Sequence, residues 1–399
     1  MKKIYVIVFI LSLLFPISGH TQNKINLSDY SFEIDELSEE KFITFTKKEL
    51  ENSQFVFVGE QHGIKEVGAF TNFLFDQAQS YEYKTLCIET DAIAAKKIKA
   101  MASAKAPIDK AKNLDREFPY SIPFYNNEND YNLFTNVVTK GGDIWGIDQT
   151  FMVQFRLNFD YLSQTTQNKA LKNKVEELKE KADIAYKQAV AQKDYTAPYI
   201  FQYDKATHDH LLSLTDDPNE IEIIKQLWKT KEIYAYNTIT KEYYKNNNER
   251  GLLMKQNFAR YYKEAQKTIP TPKVIFKLGA NHAAKGLTRT NIYDISNLAS
   301  ELAIMNNMHS IHFVVMGITG TAATGNPFAP SSSVPFDNTK QFPKEIQELI
   351  PSITKKYFVL NLAPLREHAY SNFSEGFKKT MFRYDILVLI KDAEAFKGF

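Results

Sequence analysis

The chain has 399 residues, 44% of them hydrophobic and 13% aromatic, which excludes a disordered polypeptide and supplies enough apolar surface for a large core. With 49 basic and 47 acidic residues the net charge is +2, so there is no basic surplus to make nucleic acid the main partner. Cys87 is the single cysteine, which rules out an intramolecular disulfide. Its setting in Thr85-Leu86-Cys87-Ile88 predicts a buried, inert thiol.

Lys2 and Lys3 precede an apolar run from Ile4 to Phe15, which Pro16, Ser18 and Gly19 break. This is the pattern of a secretory signal peptide over residues 1–21, too short for a comfortable membrane span. It predicts an exported protein, periplasmic or secreted, that meets the membrane only through this segment before cleavage. Residues 22–399 then read as a single α/β hydrolase-like domain. Its core covers 40–150 and 270–399, and 151–268 form a helical insertion.

Ser38 to Leu50 has the spacing of an amphipathic helix. Phe55-Val56-Phe57-Val58 is an apolar strand, Gly59-Glu60-Gln61-His62-Gly63 a polar turn, and Lys65 to Gln79 a helix with Val67, Phe70, Phe73, Leu74 and Ala78 on one face. A second strand, Lys84 to Ile88, ends in Glu89-Thr90-Asp91, and Ala92 to Ala104 is helical. Pro107 to Asn129 reads as irregular, with Pro119 and Pro123 among aromatics. A short helix, Asp130 to Thr139, leads to a third strand, Ile144 to Ile147, ending in Asp148. From Phe151 to Lys267 nearly everything has helical periodicity, and the Lys and Glu runs there read as solvated helix faces. This predicts a cap over the sheet. The α/β pattern resumes with the strand Val274 to Leu278, which ends in Gly279-Ala280-Asn281-His282. A helix, Asp294 to Met305, and a strand, Ser310 to Met316, follow. Gly317 to Pro343 reads as a long loop or lid, and Tyr357 to Leu362 and Tyr384 to Ile390 as strands. The predicted fold class is α/β, with a mostly parallel central sheet flanked by helices and a large helical insertion.

Two turns, about 220 residues apart, carry Gly-x-x-His just past a strand. In open α/β sheets ligands bind at the carboxyl ends of strands, so His62 and His282 are expected to be neighbours. Four strand ends carry titratable or amide groups where a plain turn could use Asn, Ser or Gly: Glu60 and His62, Glu89 and Asp91, Asp148, and Asn281 with His282. Two chemistries fit. In one, His62 draws a proton from a water that attacks an ester, lactone or amide carbonyl. Glu60 or Glu89 orients the ring, while His282 and Arg250 stabilise the oxyanion or protonate the leaving group. In the other, His62, His282 and Glu60 hold a divalent metal. Asp91, Asp148 and Asn281 are candidate substrate contacts. The sequence lacks His-Glu-x-x-His, Gly-x-Ser-x-Gly, Gly-x-Gly-x-x-Gly and a P-loop, so a helix-borne zinc site, a serine elbow and a nucleotide cofactor are not indicated.

The paired turns resemble those of the Tiki, TraB and ChaN-type superfamily, near which the erythromycin esterase-like proteins stand. Leu86 to Asp91 is similar to the esterases' strand ending in Glu-x-Asp. Arg250, Met254 and Asn257 resemble their helix, and Tyr384-Asp385-Ile386-Leu387 their last strand. Two places depart: Glu60-x-His62 replaces Glu-x-x-His, and Gly279 stands where the esterases carry an extra His. The resemblance implies an α/β core with inserted helices, and hydrolysis of a small-molecule or peptide substrate by water activated on His62, with no cofactor required. The Tiki and TraB side implies a metal-dependent protease instead, and the ChaN side a haem-binding uptake protein.

Overall fold

The structure is a computed structural model that describes residues 25–328, 333–370 and 372–399. The expected signal peptide lies outside the described residues.

Eight strands form one sheet in the order β1-β9-β10-β6-β2-β5-β3-β4. They are β1 Ser31–Ile34, β2 Ser53–Glu60, β3 Thr85–Ile88, β4 Asp143–Gly146, β5 Val274–Gly279, β6 His309–Gly317, β9 Tyr357–Asn361 and β10 Ile386–Ile390; the remaining pair is β7 Thr319–Ala323 and β8 Ser333–Asp337. Six adjacent strands, from β10 across to β4, run parallel, and β9 pairs antiparallel with both β10 and β1. Helices cover both faces, which is why β2 is buried along its whole length and shows no polar alternation. Val56 and Val58 join one apolar cluster with Phe70, Leu74 and Ile311. Phe55 and Phe57 join another with Phe276, Met254 and Phe258, where the Phe57 ring stacks 4.1 Å from Phe276.

The chain leaves β2 for β3 and β4, then returns to place β5 between β2 and β3, and only then adds β6 on the far side of β2. The order therefore reverses around β2 and β5, and the crevice outside their carboxyl ends is where such sheets bind ligands. The register sets Glu60 beside Gly279 and Ile88 beside Lys277.

Long helices fill 155–265 as the periodicity predicts: Phe155–Thr165, Lys169–Gln192, Pro218–Thr238 and Tyr243–Ala265. Phe155, Phe159, Leu171, Val175, Tyr199, Tyr203 and Leu227 give the cap an apolar centre of its own. The last helix does more than cap. Its Met254, Phe258 and Tyr262 pack on the sheet, and Tyr261 stacks on Trp145 of β4 at 5.3 Å.

Two expectations are corrected. Pro107–Glu117 is a helix, because Pro107 takes the first helical position, where its missing N–H costs nothing, and Ile108, Ala111 and Leu114 turn to the core. Only the stretch after it is irregular. Within the expected loop 317–343, β7 and β8 pair as a hairpin, with Gly320 at φ 140 passing too close to Ala393 for a side chain. The edge strand β1 was not foreseen. It is four residues long, and only Ile34 is fully buried, so it carries little periodic signal.

Candidate active site

Past β2 the backbone turns at Gly63, φ +89, where a Cβ would lie 2.2 Å from the Ala323 carbonyl oxygen. Only glycine fits so close an approach. The Gly63 carbonyl accepts from the N–H groups of Ala323 (2.9 Å) and Phe396 (3.1 Å), which ties the turn to the hairpin and to the final segment. His62 is thereby held at the mouth of the crevice, its ring stacked on Phe124 at 4.2 Å and its side chain 33% exposed.

His62 Nδ1 donates to Glu60 Oε1 at 2.8 Å. Glu60 is buried, which alone would raise its pKa, but the Lys277 ammonium and the bond from His62 outweigh burial and hold it below the ordinary carboxylate range. An ionised carboxylate only accepts, so Nδ1 carries the hydrogen and the basic nitrogen of neutral His62 is Nε2. Burial lowers the His62 pKa, yet Glu60, by bond and charge, and Glu89, by charge, raise it above the usual histidine value. His62 and Glu89 both line a cavity of about 290 Å³, walled also by Phe124, Phe151, Tyr234, Gln149, Asp148 and Arg250. That volume falls at the small end of ligand pockets.

Glu89, past β3, is the centre of the charge arrangement. Its Oε2 accepts from the Gly279 N–H at 2.5 Å and its Oε1 from Arg250 Nη2 at 2.8 Å. Burial works against its charge, but His282, Arg250 and His62 drive its pKa far below the ordinary range. His282 Nε2 stands 3.6 Å from Glu89 Oε1, and its Nδ1 donates to Asp294 at 2.7 Å. Although burial opposes it, the charges of Asp294 and Glu89 raise the pKa of His282 too. Arg250, from the helix 243–265, bonds Asp148 through both Nε (2.9 Å) and Nη2. Its Nη1 has no hydrogen-bond partner among the described residues.

The two imidazoles expected as neighbours thus converge on Glu89, each steadied at Nδ1 by its own carboxylate. They are not equivalent: His62 faces the cavity, whereas His282 lies behind Glu89 with its side chain 10% exposed. Asp148 lines the cavity but is occupied by Arg250 and the Gln149 N–H. Asp91 lies elsewhere. It caps the helix Ala92–Ala102, and its carboxylate accepts from Ala94 N, Thr150 Oγ1, Gln154 Nε2 and Asn158 Nδ2. Asn281 turns to Thr290 and the Arg289 N–H, also outside the cavity lining. Lys285 and Arg366 hold Asp385, beside the aromatic of the last strand, at 2.7 Å each.

In the set His62, His282 and Glu60 the acid is already engaged. Glu60's two oxygens serve His62 and Lys277, the latter at 2.6 Å, whereas an Nδ1 bonded to an acid, as in both rings, is usual in metal-ligating imidazoles. Among the described residues no group of three His, Cys, Asp or Glu side chains is placed to hold a metal.

Sequence reasoning passed over Lys277, Asp130, Asp294, Phe124 and Tyr125. Lys277 had a readable signal, a charge inside an otherwise apolar strand. Phe124 and Tyr125 sit in the irregular stretch after residue 117, where no periodicity points anywhere.

The fold recurs in solved structures. A protein from Bacillus cereus matches with a TM-score of 0.57 and 13% identity, over 94% of this chain and 97% of that one. A succinoglycan biosynthesis protein matches with 0.55 and 14%, over 93% and 96%. The erythromycin esterase EreC, as a mutant in its open conformation, matches with 0.53 and 13%, over 88% and 94%. The chain shares the fold of these three structures. At these identities the likeness extends to the fold and no further. No protein-family model and no curated protein matches the chain. No helix among the described residues is long and apolar enough to cross a membrane.

Proposed function

We propose that the chain is an exported hydrolase that cleaves an ester, lactone or amide bond of a small molecule by water activated on His62. The observation that carries the reading is the Glu60–His62 pair at the mouth of the crevice. The ring's hydrogen is committed to Glu60, and Nε2, with no hydrogen-bond partner among the described residues, belongs to a ring that lines the cavity. In the proposed reaction Nε2 takes a proton as the water oxygen bonds to the carbonyl carbon. Glu60 and Glu89 stabilise the imidazolium that forms. Arg250 offers Nη1 to the developing oxyanion. The tetrahedral intermediate then expels the alcohol or amine, which leaves with the proton returned from His62. Phe124, Phe151 and Tyr234 supply apolar surface to the rest of the substrate.

Replacing His62 by Ala removes the base from a partly exposed position. It should lower turnover on an ester, lactone and amide panel by at least about a hundredfold with the melting temperature little changed. Unaltered turnover in His62→Ala would reject the reading. A Soret band on haem titration, or turnover that a chelator abolishes, would redirect it to the carrier or the metal-dependent protease.

A further inference from the structure

Lys277 occupies the middle of β5, between β2 and β3, where a strand with both faces covered takes Val, Ile or Leu. Its side chain is 3% exposed. The ammonium lies 2.6 Å from Glu60 Oε2 and 3.1 Å from Asp130 Oδ1, and 4.6 Å over the Tyr125 ring. A stability role alone does not account for it. Exchanging a buried ion pair for apolar side chains of like volume is often neutral or stabilising, so stability is a weak ground for the charge.

What it touches suggests what that is. Glu60 divides its oxygens, Oε1 to His62 and Oε2 to Lys277. Asp130, whose Oδ2 accepts from Asn127 Nδ2 at 2.7 Å, faces the same ammonium from the start of the helix Glu128–Thr139. Without the cation, two carboxylates would face each other in a dry space, and one would have to protonate or turn away. The same residue acts on the second acid through its backbone. Its carbonyl accepts from the Tyr125 hydroxyl at 3.1 Å, and that hydroxyl accepts from the Glu89 N–H at 3.0 Å.

We infer that Lys277 is a positioning residue: with Asp130 behind it, it fixes the Glu60 carboxylate in the orientation that holds the His62 imidazole toward the cavity. The inference rests on the reading of His62 as the base. Lys277 touches no reacting atom. It acts through Glu60, and the buried Asp130 is the second acid beside its ammonium.

The test uses the mature chain and its Lys277→Met and Asp130→Asn variants, read by proton NMR in the downfield region where carboxylate-bound imidazole N–H signals fall. The His62 signal is assigned by its loss in His62→Ala. The His282 signal, bound to Asp294 on a different element, reports that the fold is intact. Lys277→Met should shift or abolish the His62 signal and leave that of His282. On p-nitrophenyl butyrate its kcat should fall about a hundredfold while KM changes little, the pattern of a lost transition-state contribution. An unmoved His62 signal with unchanged kcat overturns the inference. Should Lys277→Met lose both signals by misfolding, Asp130→Asn decides: a displaced His62 signal sustains the inference, and an unmoved one refutes it. Wild-type protein that hydrolyses no ester, lactone or amide would sink the hydrolase reading while the NMR arm still judges the coupling.

Discussion

Gly279 is the last residue of β5, and its backbone, at φ −54 and ψ 144, would accept any side chain. The space beside it would not. A Cβ there would lie 2.9 Å from His62 Nε2, 3.3 Å from His62 Cε1 and 3.2 Å from Glu89 Oε2. Replacing Gly279 by Ala therefore leaves the strand and the N–H bond to Glu89 in place and drives a methyl group against the base. His62 cannot yield freely, because Phe124 stacks on it and Glu60 holds Nδ1 at 2.8 Å. Overpacking of this kind costs about 1–3 kcal/mol. Taken up as a displaced ring, that corresponds to roughly a tenfold to hundredfold loss in kcat/KM. The methyl also occupies space next to Nε2 that the attacking water needs. Steady-state kinetics on an ester substrate, with a thermal melt on the same samples, check this. The expected result is a large drop in turnover with a melting temperature only a few degrees lower. A Gly279→Ala protein with wild-type kcat/KM would mean that the chemistry does not happen at His62 Nε2.

Four further outcomes follow. The pKa of His62 is raised above 6.5, so a rate that needs neutral His62 should climb with pH through a value above 6.5; a pH–rate profile already flat at pH 6 would contradict this. For stability the sign is opposite. The raised pKa values of His62 and His282 stabilise the fold fully below pH 6.5, and that contribution fades as pH rises through their folded values. The lowered values of Glu60 and Glu89 stabilise it above pH 4.5, with loss as pH falls through theirs. Melts across pH should peak between those limits. Arg250→Met strands Glu89 and Asp148 without their cation and should cost about 3 kcal/mol in denaturant unfolding as well as activity. Asp91→Ala removes a helix cap and takes an acceptor from three side-chain donors, of which Gln154 and Asn158 keep another, costing about 2 kcal/mol, yet KM should hold because Asp91 lies off the cavity.

The parallel sheet was readable because its strands are short apolar runs ending in polar turns, with helical periodicity between them. The pairing of the two Gly-x-x-His turns was readable for the same reason, since adjacent parallel strands bring their carboxyl ends together. Which acid serves which ring was not. Glu60 is two residues from His62, so that pair was available from spacing, but Asp294 reaches His282 only because the chain folds back after residue 286. Asp91 looked like a site residue because it follows Glu89 by two positions. The helix that starts there turns its carboxylate away to cap its own backbone, and helix capping outweighs proximity in sequence. The hairpin β7–β8 stayed hidden because Gly, Thr, Ser and Pro dominate its stretch, and its pairing depends on contact with the rest of the fold.

Arg250 reaches the cleft from a helix whose other face is packed on the sheet, and it closes on one acid just past β3 and one from the segment after β4. The cap is thus tied to the core by an ionic latch at the rim of the cavity. Any movement that swings this part of the cap outward to admit a bulky substrate must first draw the guanidinium from between Glu89 and Asp148. Widening the cleft and releasing the charge on Glu89 are then one event.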